Sequence, residues 1–447
     1  MRPHKIAIYI LVTIAILGVI CLVVPKDGWQ IGNWNLRWPT LTEVLDAGES
    51  KSNDSENINP EDSIVVSTPG KNDPRYHLKS FYLALETADT AQVRVVHYGD
   101  SQIEEDRITN ILREELQKQY GGGGIGLLPL HQTIPTGSIK QWISINGSVQ
   151  STQGGPKRYL IYGPGSMRLN TGKKYGVMGQ VAAMNNDFVP GSQSIVMNVA
   201  PYNKTLTTYN YFNQIRILAD NISVSIKQPE NENPTTTVNG SAIFNVPDST
   251  SKCKIHLTGK GNVYGISLEN PTGVIVDNIP MRGCSGTIFT RMDSLSLSKF
   301  YAESNTKLII MQYGGNMVPG IKGEKALESY IEKMRKEIRF LRNCAPQASI
   351  LFIGPSDMST RINGSMATYP IVPKMDRLLA KMAKEEQIAY WSMFDAMGGE
   401  GSMIEWKKSG LAGSDYVHFT RSGANKVGNM LYEWMKWIPE ETSTENK

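Results

Sequence analysis

Gly99-Asp100-Ser101-Gln102 and Asp415-Tyr416-Val417-His418 are the two stretches of this chain whose residue types can do chemistry together. A serine hydroxyl is a poor nucleophile unless a neighbouring base takes its proton. The chain has six histidines: His4, His77, His97, His131, His256 and His418. His4 precedes an apolar run. His97 lies in the strand leading to Ser101, where strand alternation gives it no path to the hydroxyl. His256 sits in a β-rich segment. His418 differs, with a carboxylate three residues before it and a helix-like run after it. In one turn of a loop, Asp415 can accept the imidazole Nδ1–H and leave Nε2 to receive the Ser101 proton. Taken alone, each stretch also reads as a turn followed by a helix N-cap.

Two glycine-rich loops supply candidate donors for a developing oxyanion. Gln312-Tyr313-Gly314-Gly315-Asn316 follows the apolar run 307–311, and Asn316 can direct its amide into the crevice at a strand end. Pro280-Met281-Arg282-Gly283-Cys284-Ser285-Gly286 follows Val274-Ile275-Val276-Asp277, and Gly283 can present a bare backbone N–H. Each of these also reads as an ordinary loop.

The order Ser101, Gly283, Asn316, then Asp415-x-x-His418 resembles the SGNH branch of the GDSL esterase superfamily. The C-terminal run, from Phe394-Asp395-Ala396 through Asp415 to Arg421, is similar to the cell-envelope polysaccharide O-acetylesterase group, which includes peptidoglycan O-acetylesterases and acetyltransferases. The resemblance covers residues 75–135 and 270–440. It implies catalytic Ser101, His418 and Asp415, and an oxyanion hole from Ser101, Gly283 and Asn316. It implies no metal or organic cofactor. Two departures stand out. Gln102 replaces the leucine of the family name, and Met281-Arg282-Gly283 replaces an Asn-containing form, which leaves Gly286 as an alternative to Gly283.

Positioning these residues requires a sheet with helices on both faces. Val93–Tyr98 reads as a buried strand entering the serine turn, and Glu104–Tyr120 as the helix leaving it. Ile108, Ile111, Leu112, Leu116 and Tyr120 form its apolar stripe, while Glu104, Glu105, Arg113 and Glu114 read as a solvated face. Residues 307–311, 348–353 and 388–391 read as further strands. Helices are predicted at 77–87, 324–341, 375–387 and 422–437. The alternation gives a mainly parallel sheet. With the resemblance, the expectation is a flavodoxin-like SGNH three-layer α/β/α fold.

Between residues 140 and 270 the helical period disappears. Short runs such as 158–162, 194–199, 214–219, 222–226, 252–257 and 263–268 alternate with Gly, Asn and Pro clusters. This spacing predicts an inserted antiparallel β-sandwich, which in the resembled esterases is like a carbohydrate-binding module. The expected organisation is an anchor at 1–25, a disordered tether at 26–71, a first hydrolase segment at 72–139, the insert at 140–270 and a second hydrolase segment at 271–440.

Residues 6–24 carry no charge, and as a helix would span about 28 Å, close to a bilayer core. Arg2 and Lys5 before it predict an exported, membrane-anchored domain in the periplasm or outside the cell. A cleaved signal peptide and a secreted protein are the alternative. Residues 46–62 are too polar to offset their ordering entropy, and Trp29, Trp34 and Trp38 suit an interface or a short strand. Net charge is +4, so no nucleic-acid footprint is expected. Gly121–Gly124 follows a helix and lacks a Gly-Lys-Ser/Thr, so no nucleotide is expected either. Cys21, Cys253, Cys284 and Cys344 have no Cys-x-x-Cys spacing for zinc, and Cys284 reads as a small core residue. The reading is a serine esterase deacetylating a cell-envelope or other polysaccharide. An acetyltransferase with the same triad, a lipase or thioesterase, and an inactive glycan-binding protein remain as alternatives.

Overall fold

The computed structural model describes residues 29–31, 34–36 and 69–436, except residues 72, 146, 150–155, 163–173, 185–193, 203–206 and 228–232. The chain divides into two units, residues 1–65 and 66–447. In the first, strands β1 (Trp29–Ile31) and β2 (Trp34–Leu36) pair antiparallel, with Trp29 opposite Leu36. Two of the three tryptophans expected near an interface or in a strand thus lie in strands. The anchor and the rest of the expected tether up to residue 68 lie outside the described residues. Among the described residues no helix is long and apolar enough to cross a membrane.

The second unit opens with α1 (Lys79–Leu85), β3 (Gln92–Gly99) and α2 (Thr109–Tyr120). Ten strands follow: β4 (Gly126–Leu128), β5 (Ile139–Ile145), β6 (Ser148–Val149), β7 (Lys157–Leu160), β8 (Gln180–Met184), β9 (Ser194–Pro201), β10 (Phe212–Lys227), β11 (Thr236–Thr250), β12 (Cys253–Thr258) and β13 (Gly261–Glu269). Alternation then resumes through β14 (Gly273–Pro280), α3 (Ser294–Glu303), β15 (Thr306–Gln312), α4 (Glu324–Cys344) and β16 (Ser349–Ile353). A hairpin of β17 (Ser359–Ile362) and β18 (Ser365–Thr368) precedes α5 (Val372–Glu385) and β19 (Ala389–Trp391). The chain closes with α6 (Met393–Met397), α7 (Ser402–Lys408) and α8 (Arg421–Met435).

Strands β14, β3, β15, β16 and β19 form, in that order, a wholly parallel sheet. Its two faces follow strand alternation. Val93, Val95, Leu308, Ile310, Leu351 and Ile353 pack with residues of α1, α2 and α8. Val96, Tyr98, Ile309, Met311, Ile350 and Phe352 pack with residues of α3, α4 and α5. The result is the expected α/β/α arrangement. The apolar stripe of α4 (Leu327, Tyr330, Ile331, Met334, Ile338, Leu341) is buried throughout.

The antiparallel strands form one continuous curled sheet rather than two separate leaves. β10 belongs to both halves. Its N-terminal half pairs with β13, its C-terminal end with β12, and β11 runs along most of its length. The runs 214–219 and 222–226, read as two strands, are therefore one. Asn221 breaks the period with φ of 55°, and its N–H donates to Asn239 Oδ1 at 2.7 Å, which makes a bulge in the ladder. The sheet also begins before residue 140, because β4 pairs with β13.

A buried ionic network joins the two sheets. Arg94 of β3 is wholly buried and donates to both Asp277 carboxylate oxygens on β14, at 2.8 and 3.0 Å, and to Glu269 on β13. Glu269 also accepts from Arg216 of β10 at 2.9 Å and from Ser267 at 2.6 Å. Asp277 accepts the Leu127 N–H of β4 at 2.8 Å. Two cations face two carboxylates, so the desolvated charges balance. Removing one partner strands the others in a dry interior. Arg94→Met should cost about 3–5 kcal/mol of unfolding free energy, read as a lower urea midpoint. A midpoint unchanged from the parent would show that the network adds nothing to stability.

Candidate active site

The serine turn is set by packing at the end of β3. A Cβ on Gly99 would lie 2.9 Å from Ile103, so a larger residue there would have to displace that buried side chain. Asp100 caps the turn, its Oδ1 accepting the Gln102 N–H at 3.0 Å. Ser101–Asp106 forms a short irregular helix broken at Glu104 and Glu105. The regular helix begins at Thr109, not at Glu104 as the sequence suggests. The cause is Asp106, which is buried with φ of 62°. Its carboxylate accepts from Arg113 at 2.6 and 3.1 Å and from Ser138 at 2.6 Å. Arg113, expected on a solvated face, is likewise fully buried and also donates to the Val276 carbonyl at 2.8 Å. The pair folds the chain back beneath the turn before α2 can start.

Ser101 Oγ lies 2.9 Å from His418 Nε2, and His418 Nδ1 lies 2.7 Å from Asp415 Oδ2. Asp415 Oδ1 accepts the backbone N–H groups of Val417 and His418, both at 3.0 Å. Partial burial pushes the Asp415 carboxyl up, but the hydrogen bonds from His418 and the two backbone groups outweigh it. The carboxyl is held below its ordinary value. Asp415 thus stays ionised to orient the ring and to stabilise an imidazolium. His97 is no rival base. It is buried, hydrogen-bonded to Gln312 and Thr109, and burial pushes it down to about 3.

The expected oxyanion donors divide. Met281 N–H donates to the Gly99 carbonyl at 2.7 Å, which seats the Gly283 loop beside the serine turn. Gly283 is exposed with φ of 71°. The alternative, Gly286, has its N–H on Cys284 Sγ at 3.3 Å, and a Cβ added to it would lie 2.7 Å from the Tyr313 ring. Gly286 is thus engaged within its own loop, whereas Gly283 is exposed. Asn316 lines the cleft, but its amide is already engaged. Nδ2 donates to Asp100 Oδ2 at 2.9 Å and to the Cys284 carbonyl at 3.1 Å. To meet an oxyanion, one of these bonds must be shared or released. Cys284 itself is buried and in no disulfide, and burial pushes its thiol up to about 12, so it is no nucleophile.

A cleft of about 180 Å³ opens beside Ser101 and His418, walled by Tyr313, Pro319, Met358, Met393 and Val417. Asp100 and Gln102 also line the cleft, and Arg107 donates to the Ser101 carbonyl at 2.8 Å. Asp100 was visible only as part of a turn, and Gln102 only as a departure from leucine. Arg107 carried no sequence signal.

The structure overlays on that of a peptidoglycan O-acetylesterase with a TM-score of 0.61 at 20% identity, over 81% of this chain and 95% of that one. The two chains share a fold. The match spans more residues than the α/β segments alone contain, so it takes in part of the antiparallel sheet as well. An acetyl xylan esterase overlays with a TM-score of 0.28 at 12% identity, over 36% of this chain and 80% of that one. A catalytic mutant of an acetylxylan esterase from Geobacillus stearothermophilus does so with 0.28 at 13%, over 37% and 74%. No protein-family model and no curated protein matches the sequence.

Asp100 gives this site a pH signature. Burial raises its carboxyl from 3.8 to about 6, against the Gln102 N–H, His418 and Asn316, which lower it. Between those two values the folded state keeps a proton that the unfolded chain has lost, so the stability owed to Asp100 is full below about pH 4 and falls as pH rises toward 6. The melting temperature of the parent minus that of Asp100→Asn should therefore be largest near pH 4 and shrink toward pH 7. A difference independent of pH would mean that Asp100 does not titrate in this window.

Proposed function

We propose that this chain is a serine esterase that removes O-acetyl groups from a polysaccharide through an acyl-enzyme. The observation that carries the reading is the continuous relay from Ser101 Oγ to His418 Nε2 to Asp415. His418 takes the hydroxyl proton as Ser101 Oγ bonds to the ester carbonyl carbon. The oxyanion faces the Ser101 and Gly283 N–H groups, with Asn316 beside them. Collapse breaks the bond to the sugar oxygen, which receives the proton from His418. Water, deprotonated by the same imidazole, then frees acetate and restores Ser101.

Two features favour a short acyl group on a bulky alcohol. The cleft beside Ser101 is small and mostly apolar at its walls. The His418 and Asp415 side chains are 41% and 52% exposed, which leaves room for a polymer over the site and for water to reach the acyl-enzyme. The latter favours hydrolysis over transfer. The uncharged run at 6–24 supports an exported, membrane-anchored enzyme acting on a cell-envelope or other external glycan.

Ser101→Ala should lower acetate release from acetylated xylan or peptidoglycan at least about 10⁴-fold with an unchanged melting temperature. Turnover that survives the substitution would remove the proposal. On aryl esters, kcat/KM should fall steadily from acetate to octanoate. An octanoate preference would instead favour the lipase reading.

A further inference from the structure

The catalytic histidine sits on an exposed loop, yet its reaction demands placement to a fraction of an ångström. The carbonyls on either side of His418 show how that is achieved. Val417 O accepts from Gln102 Nε2 at 2.7 Å, and Phe419 O accepts from Arg107 Nη1 at 3.2 Å. Both donors come from the serine turn. The same Arg107 guanidinium donates through Nη2 to the Ser101 carbonyl at 2.8 Å and through Nε to the Glu104 carbonyl at 3.0 Å. One rigid planar group thus spans the nucleophile and the base segments, and Gln102 makes a second tie on the other flank.

The loop's own bonds do not provide this link. Gly413 N–H donates to the His418 carbonyl at 2.8 Å, Thr420 N–H to Leu411 at 3.0 Å, and Ala412 bridges Phe419. These shape the loop internally. Ser359 N–H, which donates to the Tyr416 carbonyl at 3.1 Å, ties it to β17 rather than to the serine turn. Gln102 is buried at the edge of the cleft, in the position where the resembled family carries leucine, and its tie to Val417 is part-buried.

We infer that Gln102 and Arg107 are positioning residues that lock the His418 loop to the Ser101 turn and so set the distance from Oγ to Nε2. The inference rests on the proposed esterase reading. Arg107 acts through the geometry of its fork, since an ammonium cannot donate to the Ser101, Glu104 and Phe419 carbonyls in three fixed directions. Its positive charge alone is not what the site uses.

The test uses the full chain on an aryl acetate, with competent sites counted by an active-site phosphonate, so that misfolded protein is excluded from the rate. Acetate release by the parent chain is the control: its absence would sink the esterase reading rather than this inference. Gln102→Leu should lower kcat about 10-fold and Arg107→Met about 100-fold, with KM within about 2-fold of the parent. Arg107→Lys should recover little of the Arg107→Met loss. The double variant should lose less than the product of the single losses, because both act on one loop. If Arg107→Met does not fold, Gln102→Leu and Arg107→Lys decide. Rates per competent site within about 2-fold of the parent, or full recovery by lysine, would overturn the inference.

Discussion

A hydrogen bond of 2.9 Å between side chains 317 residues apart, Ser101 Oγ and His418 Nε2, is the constraint on which the site depends. Parallel register delivers most of it. Gly99, two residues before the serine, is level with Pro280 on β14 and with Gln312 on β15. The serine turn, the Gly283 loop and the Asn316 loop thus leave the sheet at one height, side by side. Open parallel sheets bind ligands at this edge because the loops there diverge and leave a crevice. The histidine loop is not part of that register. It reaches the same edge from between α7 and α8, and side-chain donors from the serine turn connect its backbone to the nucleophile.

The juxtaposition of Ser101, His418 and Asp415 and the parallel layers are legible because each leaves a local mark. Asp-x-x-His is a spacing within one turn, and the α4 stripe is a period of 3.6 residues. Buried charge leaves no such mark. Arg113 stands among polar neighbours on α2 and reads as solvent-facing until Asp106 and Ser138 are found beneath it. Arg94 sits in an apolar strand with nothing nearby in sequence to pair it, its partners Asp277 and Glu269 lying 183 and 175 residues away. The same limit hid β11, whose alternation is weak because much of it faces solvent, and split β10 at Asn221. Partners distant in sequence decide these features, and a pattern read along one segment cannot contain them.

The antiparallel sheet is built into the parallel layer rather than hung from it. β4, which follows α2, pairs with β13, and the Arg94 network is shared by strands of both sheets. The four glycines at 121–124 serve the same junction. Gly122 has φ of 105° and Gly124 has φ of 78°, and a Cβ on them would lie 2.4 Å from the Val274 carbonyl and 2.1 Å from that of Leu268. Only bare backbone crosses there. A glycine run that invites comparison with a phosphate loop is thus explained by close packing between two sheets.

The same economy of contacts governs the oxyanion side. Asn316 spends its two amide hydrogens on Asp100 and on the Cys284 carbonyl. Those bonds join three loops: the one carrying Ser101, the one carrying Gly283 and its own. A donor already committed to the scaffold is a weaker donor to substrate, but it fixes the backbone around Gly283 before substrate arrives. Preorganised N–H groups stabilise a developing charge without reorganising at the moment of reaction. The Asn316 bond favours the ionised form of Asp100, against the burial that raises its carboxyl to about 6.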